Sequence, residues 1–198
     1  MANVNRLGGF RPVKHLNGSP YNGQFNIYEI VAGDGTAVNV GDLVKPDSGT
    51  ATDQYPTVVR LGASGQVTAG PVTGAVVGFV VDPTNLNTPQ YRAASTKRYV
   101  MVADAPDLIF EVADGGTVPC TLTLIGMNTG VTCTAPNTTT GVSPMATGTT
   151  APTTTATLPL KIVGIPKSPD NEAAAAYQRL HVMINSHTYG TGTGTAGV

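Results

Sequence analysis

Residues Arg98 to Gly116 read RYVMVADAPDLIFEVADGG. Two runs rich in β-branched and apolar residues, Arg98–Ala103 and Leu108–Ala113, flank Asp104-Ala105-Pro106-Asp107, and Asp114-Gly115-Gly116 follows. β-branched and aromatic side chains suit a pleated, half-buried surface. Asp side chains bond nearby backbone donors, and Pro presets one φ. The Asp-Gly-Gly triplet tolerates the positive φ that tight hairpin turns demand. Strand, turn, strand, turn is the order this predicts, with no room for a helix.

The same order recurs on both sides. Asn26–Val31 alternates as a strand does, Gly33-Asp34-Gly35 is turn chemistry, and Ala37–Lys45 reads as two short strands bent at Gly41-Asp42. Pro46-Asp47-Ser48-Gly49 closes that unit. Further strands are predicted at Thr57–Leu61, Gly74–Val81, Val118–Ile125, Leu158–Ile165 and Gln178–Asn185, where Leu180, Val182 and Ile184 alternate with Arg179, His181 and Met183. Asp82–Ser95 is a polar loop holding Pro83 and Pro89. One helix start is visible: Ser168 as N-cap, Pro169 at the first helical position, Asp170 and Glu172 in the first turn, then Ala173–Ala176. About ten short strands and one short helix predict an all-β chain, a small antiparallel β-barrel or sandwich.

Three segments stand apart. Residues 1–25 carry Arg6, Arg11 and Lys14, have no acidic residue, and break their apolar positions with Gly8, Gly9, Pro12, Gly18, Pro20 and Gly23. They predict an extended N-terminal arm without a core of its own. Residues 26–188 form the β domain. Within it, 128–157 is mostly Thr, Gly, Pro, Ala and Ser, which predicts a surface excursion because little apolar area offsets its ordering entropy. Residues 189–198 alternate Thr and Gly and predict a second arm or a frayed end.

Composition narrows the function classes. The chain has 198 residues, suiting one domain with arms. Only 12% of residues are charged, against a typical ~25%, while Gly (24), Pro (15) and Thr (29) are abundant. The net charge of −1 argues against a nucleic-acid binder, whose affinity comes from many Lys/Arg–phosphate contacts. Hydrophobic residues reach 40%, too many for a chain disordered throughout. The longest apolar run, Gly74–Val81, is too short to span a bilayer, and the first ten residues lack a secretory h-region. No membrane association is expected. Cys120 and Cys133 are too few for a disulfide framework or a zinc site, and read as buried thiols of a protein folded in a reducing cytoplasm. A cross-strand disulfide is the alternative.

No catalytic constellation emerges. Gly62-Ala63-Ser64-Gly65 misses the nucleophile-elbow spacing, and no Gly-rich phosphate loop opens a helix. His15, His181 and His187 fit no ligand spacing. Asp104, Asp107 and Glu111 form the densest acidic group. Turn chemistry accounts for them, with a hard-cation site or an acid/base pair as the alternative. Gln90-Tyr91-Arg92 and Lys97-Arg98-Tyr99 interleave aromatic and basic residues. A solvated strand edge or a contact to a protein partner fits a chain of this charge better than a single-strand nucleic-acid groove. No cofactor and no metal are implied, and an enzyme is not expected.

Several blocks carry a resemblance: Met1-Ala2-Asn3 through Gly9-Phe10-Arg11-Pro12-Val13, His15-Leu16-Asn17-Gly18-Ser19-Pro20-Tyr21-Asn22-Gly23, Tyr91–Thr96, Val102–Leu108 and Pro169-Asp170-Asn171-Glu172. Together they resemble the capsid cement (decoration) proteins of tailed bacteriophages, with a departure in 128–157. The resemblance implies a virion structural protein on the capsid exterior, folded in the host cytoplasm, that binds the major capsid protein and stabilises contacts between its subunits. It also implies self-association, as a homotrimer rather than a dimer, because such proteins often sit at threefold positions. The arm would then add as a strand to the shell. Its expected capsid contacts are Arg6, Phe10, Arg11, Lys14 and Tyr21, with the cations meeting acidic groups of the shell. Another virion role, as a head or tail fibre or a host-glycan adhesion module, is the alternative. A metal-assisted hydrolase using Asp104 and Asp107 is the more distant one.

Overall fold

A computed structural model describes residues 3–48, 51–115, 119–190 and 194–197. In chain order the strands are β1 (Arg11–His15), β2 (Asn26–Ile30), β3 (Leu43–Pro46), β4 (Val58–Arg60), β5 (Gly65–Val67), β6 (Gly74–Phe79), β7 (Arg98–Ala103), β8 (Leu108–Ala113), β9 (Asn128–Thr129), β10 (Val131–Cys133), β11 (Ala146–Thr147), β12 (Leu160–Gly164) and β13 (Arg179–Ile184). Among the described residues there is no α-helix, only a 3-10 turn at Leu122–Leu124. The strands pair antiparallel in three sheets, ordered β1-β8-β13-β12-β9, β2-β7-β6-β3-β4 and β11-β10-β5. The fold is all-β and sandwich-like. β7 and β8, adjacent in sequence, lie in different sheets, so the Asp104–Asp107 turn carries the chain from one layer to the next.

The β2-β7-β6-β3-β4 sheet serves two cores at once. Successive side chains on a strand point to opposite faces. Leu43, Ala75 and Ala103 enter one core together with Phe10, Phe110, Leu160, Ile162, Leu180 and Val182. Their immediate neighbours Val44, Val76 and Val102 enter a second core with Tyr28, Ile30, Val38, Val58 and Val100. Around this second core the sheet curls until its edge strands approach, where the Glu29 N–H donates to the Pro56 carbonyl at 2.9 Å. A single parallel bridge, Glu29 to Thr57, marks that approach, and the sheet stops short of a closed barrel.

Two buried arginines hold the loops. The Arg60 guanidinium donates to both carboxylate oxygens of Asp42 (2.8 and 3.0 Å) and to the carbonyls of Gly62, Ala63 and Thr134. All five of its N–H groups are thereby used. Asp42 also accepts from the Ser143 hydroxyl at 2.6 Å and the Asn39 N–H at 2.8 Å. Arg92 donates to the carbonyls of Thr96, Thr36, Val31 and Asp34 within 2.8 Å, and Asp34 lies 3.4 Å away as counter-ion.

Five sequence expectations are corrected. The N-terminal arm is not free: Phe10 is 1% exposed inside the first core, and β1 pairs with β8. Pro12 is tolerated because β1 is an edge strand. The 128–157 segment is not a surface excursion. It supplies β9, β10 and β11, and Val131, Cys133, Met145 and Ala146 are buried. The Asp42–Arg60 network pins it through Ser143 and Thr134, so polar bonding supplies what its apolar area does not.

The helix expected from Ser168 does not form. The Asn171 side chain instead bonds the Pro166 carbonyl and both backbone groups of Arg179, while Ala174 and Tyr177 take positive φ. Two helical turns are marginal in isolation, and such side-chain bonds offer the backbone another fate. Nor is residues 119–125 a strand. Cys120 and Leu124 reach the first core while Leu122 points to solvent, which the period of two forbids; residues 116–118 lie outside the described residues.

In the C-terminal tail, described from residue 194 to 197, the backbone is docked rather than frayed. Asn185 accepts from the Thr195 N–H, Asn128 donates to the Thr195 carbonyl and Lys161 to that of Ala196. Residues 191–193 and 198 lie outside the described residues.

Candidate interaction surfaces

The N-terminal segment is fixed at three points. The Asn3 side chain exchanges hydrogen bonds with the backbone of Glu172 at 2.9 and 2.7 Å. The Phe10 N–H donates to the Gly41 carbonyl at 2.9 Å. After β1 the chain folds back: the His15 N–H donates to the Ser19 carbonyl and the Tyr21 N–H to the Val13 carbonyl. The outer edge of β1 is thus occupied by the chain itself.

On this fixed backbone the side chains divide. Phe10 is core. Tyr21 is half-buried against the core, with its hydroxyl donating to the Gln24 carbonyl at 2.8 Å. Arg6 and Arg11 are exposed, and Arg6 lies 3.6 Å from the Asp170 carboxylate. Lys14 is half-buried. Of the five arm residues singled out in the sequence, then, Phe10 is sealed away, Tyr21 is partly covered, and the three cations reach the surface. Between them Val4 (59%), Leu7, Val13 and Leu16 (58%) are exposed.

A second surface feature is a groove of about 690 Å³ between the 51–55 and 82–97 loops, over the end of β7. Tyr55, Tyr91 and Tyr99 line it with Asp53, Asp82, Lys97 and Arg98. The Tyr55 and Tyr99 rings meet edge to face, centroids 5.3 Å apart and planes at 60°. The Tyr99 hydroxyl donates to Asp53, and Lys97 reaches the same carboxylate at 3.1 Å. These two donors hold the Asp53 carboxyl below the ordinary carboxylate range. Arg98 stacks over Phe79 at 4.7 Å and donates to the carbonyls of Pro89 and Tyr91. The structure thus collects Tyr91, Lys97, Arg98 and Tyr99 into one site. Arg92 leaves it for the interior. Tyr55 and Asp53 come from a loop that nothing in the local sequence marks.

The acidic group around β8 disperses into separate partnerships. Asp104 accepts from the Tyr28 hydroxyl at 2.6 Å and from Asn26. Asp107 pairs with His15 at 3.1 Å, and Glu111 faces Arg179 and His181 near 4 Å. His187 is buried and accepts from the Tyr189 N–H at 3.0 Å. Among the described residues no three His, Cys, Asp or Glu side chains gather to hold a metal. Cys120 and Cys133 are free and buried, and burial pushes both thiols up to about 11. No helix among the described residues is long and apolar enough to cross a membrane. No protein-family model, no curated protein and no solved structure matches the chain.

Proposed function

We propose that this chain is a virion structural protein that binds the outer surface of a tailed-phage capsid and stabilises contacts between major capsid protein subunits, with residues 4–16 as its contact face. The observation that carries the reading is the combination of fixed backbone and exposed apolar side chains in that segment. Val4, Leu7, Val13 and Leu16 stand out from a backbone held at Asn3, Phe10 and β1. A face ordered before binding loses little conformational entropy on docking. Burying each Leu on a shell contributes up to roughly 1.5–3 kcal/mol, and Arg6, Arg11 and Lys14 add steering toward acidic groups.

The mode of attachment differs from strand addition by a loose arm. The outer edge of β1 is already bonded to residues 19 and 21, so side chains rather than backbone make the contact. The role assigned is mechanical, with no bond made or broken. Many copies, or a homotrimer on a threefold, multiply a modest single-site affinity.

Co-sedimentation with empty expanded shells of the parent phage tests this reading. Wild-type protein is expected in the pellet, and the Leu7→Asp/Leu16→Asp variant in the supernatant with an unchanged far-UV spectrum. Equal pelleting of the two would contradict it.

A further inference from the structure

We propose that the groove lined by Tyr55, Tyr91 and Tyr99 binds a neutral oligosaccharide, an activity beyond capsid attachment. Four observations converge on that ligand class. The first is charge. Asp53 and Asp82 face Lys97 and Arg98, two of each sign, so the groove carries no net formal charge to draw in a phosphate, a nucleic acid or a charged peptide.

The second is the hydrogen-bonding pair at its centre. Asp53 and Lys97 lie 3.1 Å apart and are both partly exposed, the side chains at 48% and 36%. An ionised carboxylate accepts only and an ammonium donates only. A sugar hydroxyl does both, so two neighbouring ring hydroxyls match the acceptor and donor capacity left on the exposed side of the pair, which an apolar ligand would desolvate without replacement. The third is the aromatic surface. Tyr55 is 42% exposed, and its ring supplies an apolar face with a polar tip, matching the C–H faces and hydroxyl rims of a pyranose. The Tyr55 and Tyr99 rings meet at 60°, so this pair presents one open ring face rather than two parallel walls.

The fourth is that the wall is braced. Arg98 donates to Pro89 and Tyr91, and Asp82 accepts from the Thr84 N–H and hydroxyl at 2.8 and 2.6 Å. These two charges are spent on the loop, while Asp53 and Lys97, bonded to each other and to Tyr99 and Thr52, stay partly exposed to a ligand. A volume of about 690 Å³ falls within the range of small-ligand sites, roughly 300–1,000 Å³. None of the residues of the N-terminal face lines the groove, so the two functions fail separately.

Two-dimensional amide NMR of the full chain tests the proposal, with maltotriose, cellotriose and the N-acetylglucosamine trimer as probes, and sialyllactose and decaproline as comparators. At least one neutral trisaccharide is expected to shift the amides around Tyr55, Tyr91 and Tyr99, saturating in the millimolar range, ~10 mM or below. Tyr55→Ala and the near-isosteric Asp53→Asn should each weaken that binding roughly 3- to 10-fold, while Tyr189→Ala leaves it unchanged. The proposal is overturned if all three trisaccharides leave these amides unmoved up to ~20 mM. It is equally overturned if only decaproline or sialyllactose moves them, or if Asp53→Asn binds as wild type.

Discussion

Gly9 and Gly41 lie back to back. The Phe10 N–H donates to the Gly41 carbonyl at 2.9 Å, and a Cβ on Gly9 would stand 2.4 Å from that same oxygen. Both residues take positive φ, +64° and +89°. The contact decides how the first 25 residues behave. A glycine pair that looks like slack in the chain is the place where the chain is clamped, and Phe10 follows it into the core.

Gly9→Ala combines a left-handed backbone with a backbone clash, and is expected to cost about 2 kcal/mol or more. Phe10→Ala is expected to cost about 3–5 kcal/mol. Urea midpoints measure both. A detached arm would leave the midpoint unmoved.

The Asp42–Arg60 pair is sealed from water, and the protein itself bonds all five guanidinium N–H groups and both carboxylate oxygens. Arg60→Met leaves Asp42 buried without its cation, and a loss of about 3–5 kcal/mol is expected. Because Arg60 also binds the Thr134 carbonyl, hydrogen exchange in residues 131–147 should accelerate together with that loss.

Burial raises both thiols from 9.0 to about 11. The folded state therefore holds protons that the unfolded chain releases first. This stabilisation is complete below pH 9 and disappears as pH rises from there through 11. Denaturation midpoints should fall across that window, and the fall should shrink in Cys120→Ala/Cys133→Ala. Native protein at pH 8 should react with a thiol reagent only as fast as it opens.

Much of the all-β character is legible in the sequence, and the reason is local. Leu180, Val182 and Ile184 alternate with Arg179, His181 and Met183, and β13 follows that alternation residue by residue. The allocation of strands to sheets is not local. Nothing between Ala103 and Leu108 states that the turn leads into another layer. The helix start at Ser168 obeys every local rule and loses to bonds from Asn171 and Gln178, whose partners include Cys120 far along the chain.

The Thr-rich segment departs from its composition for a related reason. Low apolar content predicts exposure only when polar groups lack partners, and the Asn128 amide nitrogen and the Ser143 hydroxyl find theirs inside. Of the groove, Tyr91 and Lys97-Arg98-Tyr99 are marked by their aromatic and basic pattern. Tyr55 and Asp53 sit in a polar loop with no such pattern, and only the approach of two loops brings them in.

The proposed grip of residues 4–16 on a capsid is decided by a cryo-electron-microscopy reconstruction of the phage head. The β body is expected on the outer shell at capsomer junctions, with Leu7, Val13 and Leu16 buried against coat subunits. Heads that lack the protein, or a bound copy whose residues 4–16 face solvent, would contradict it.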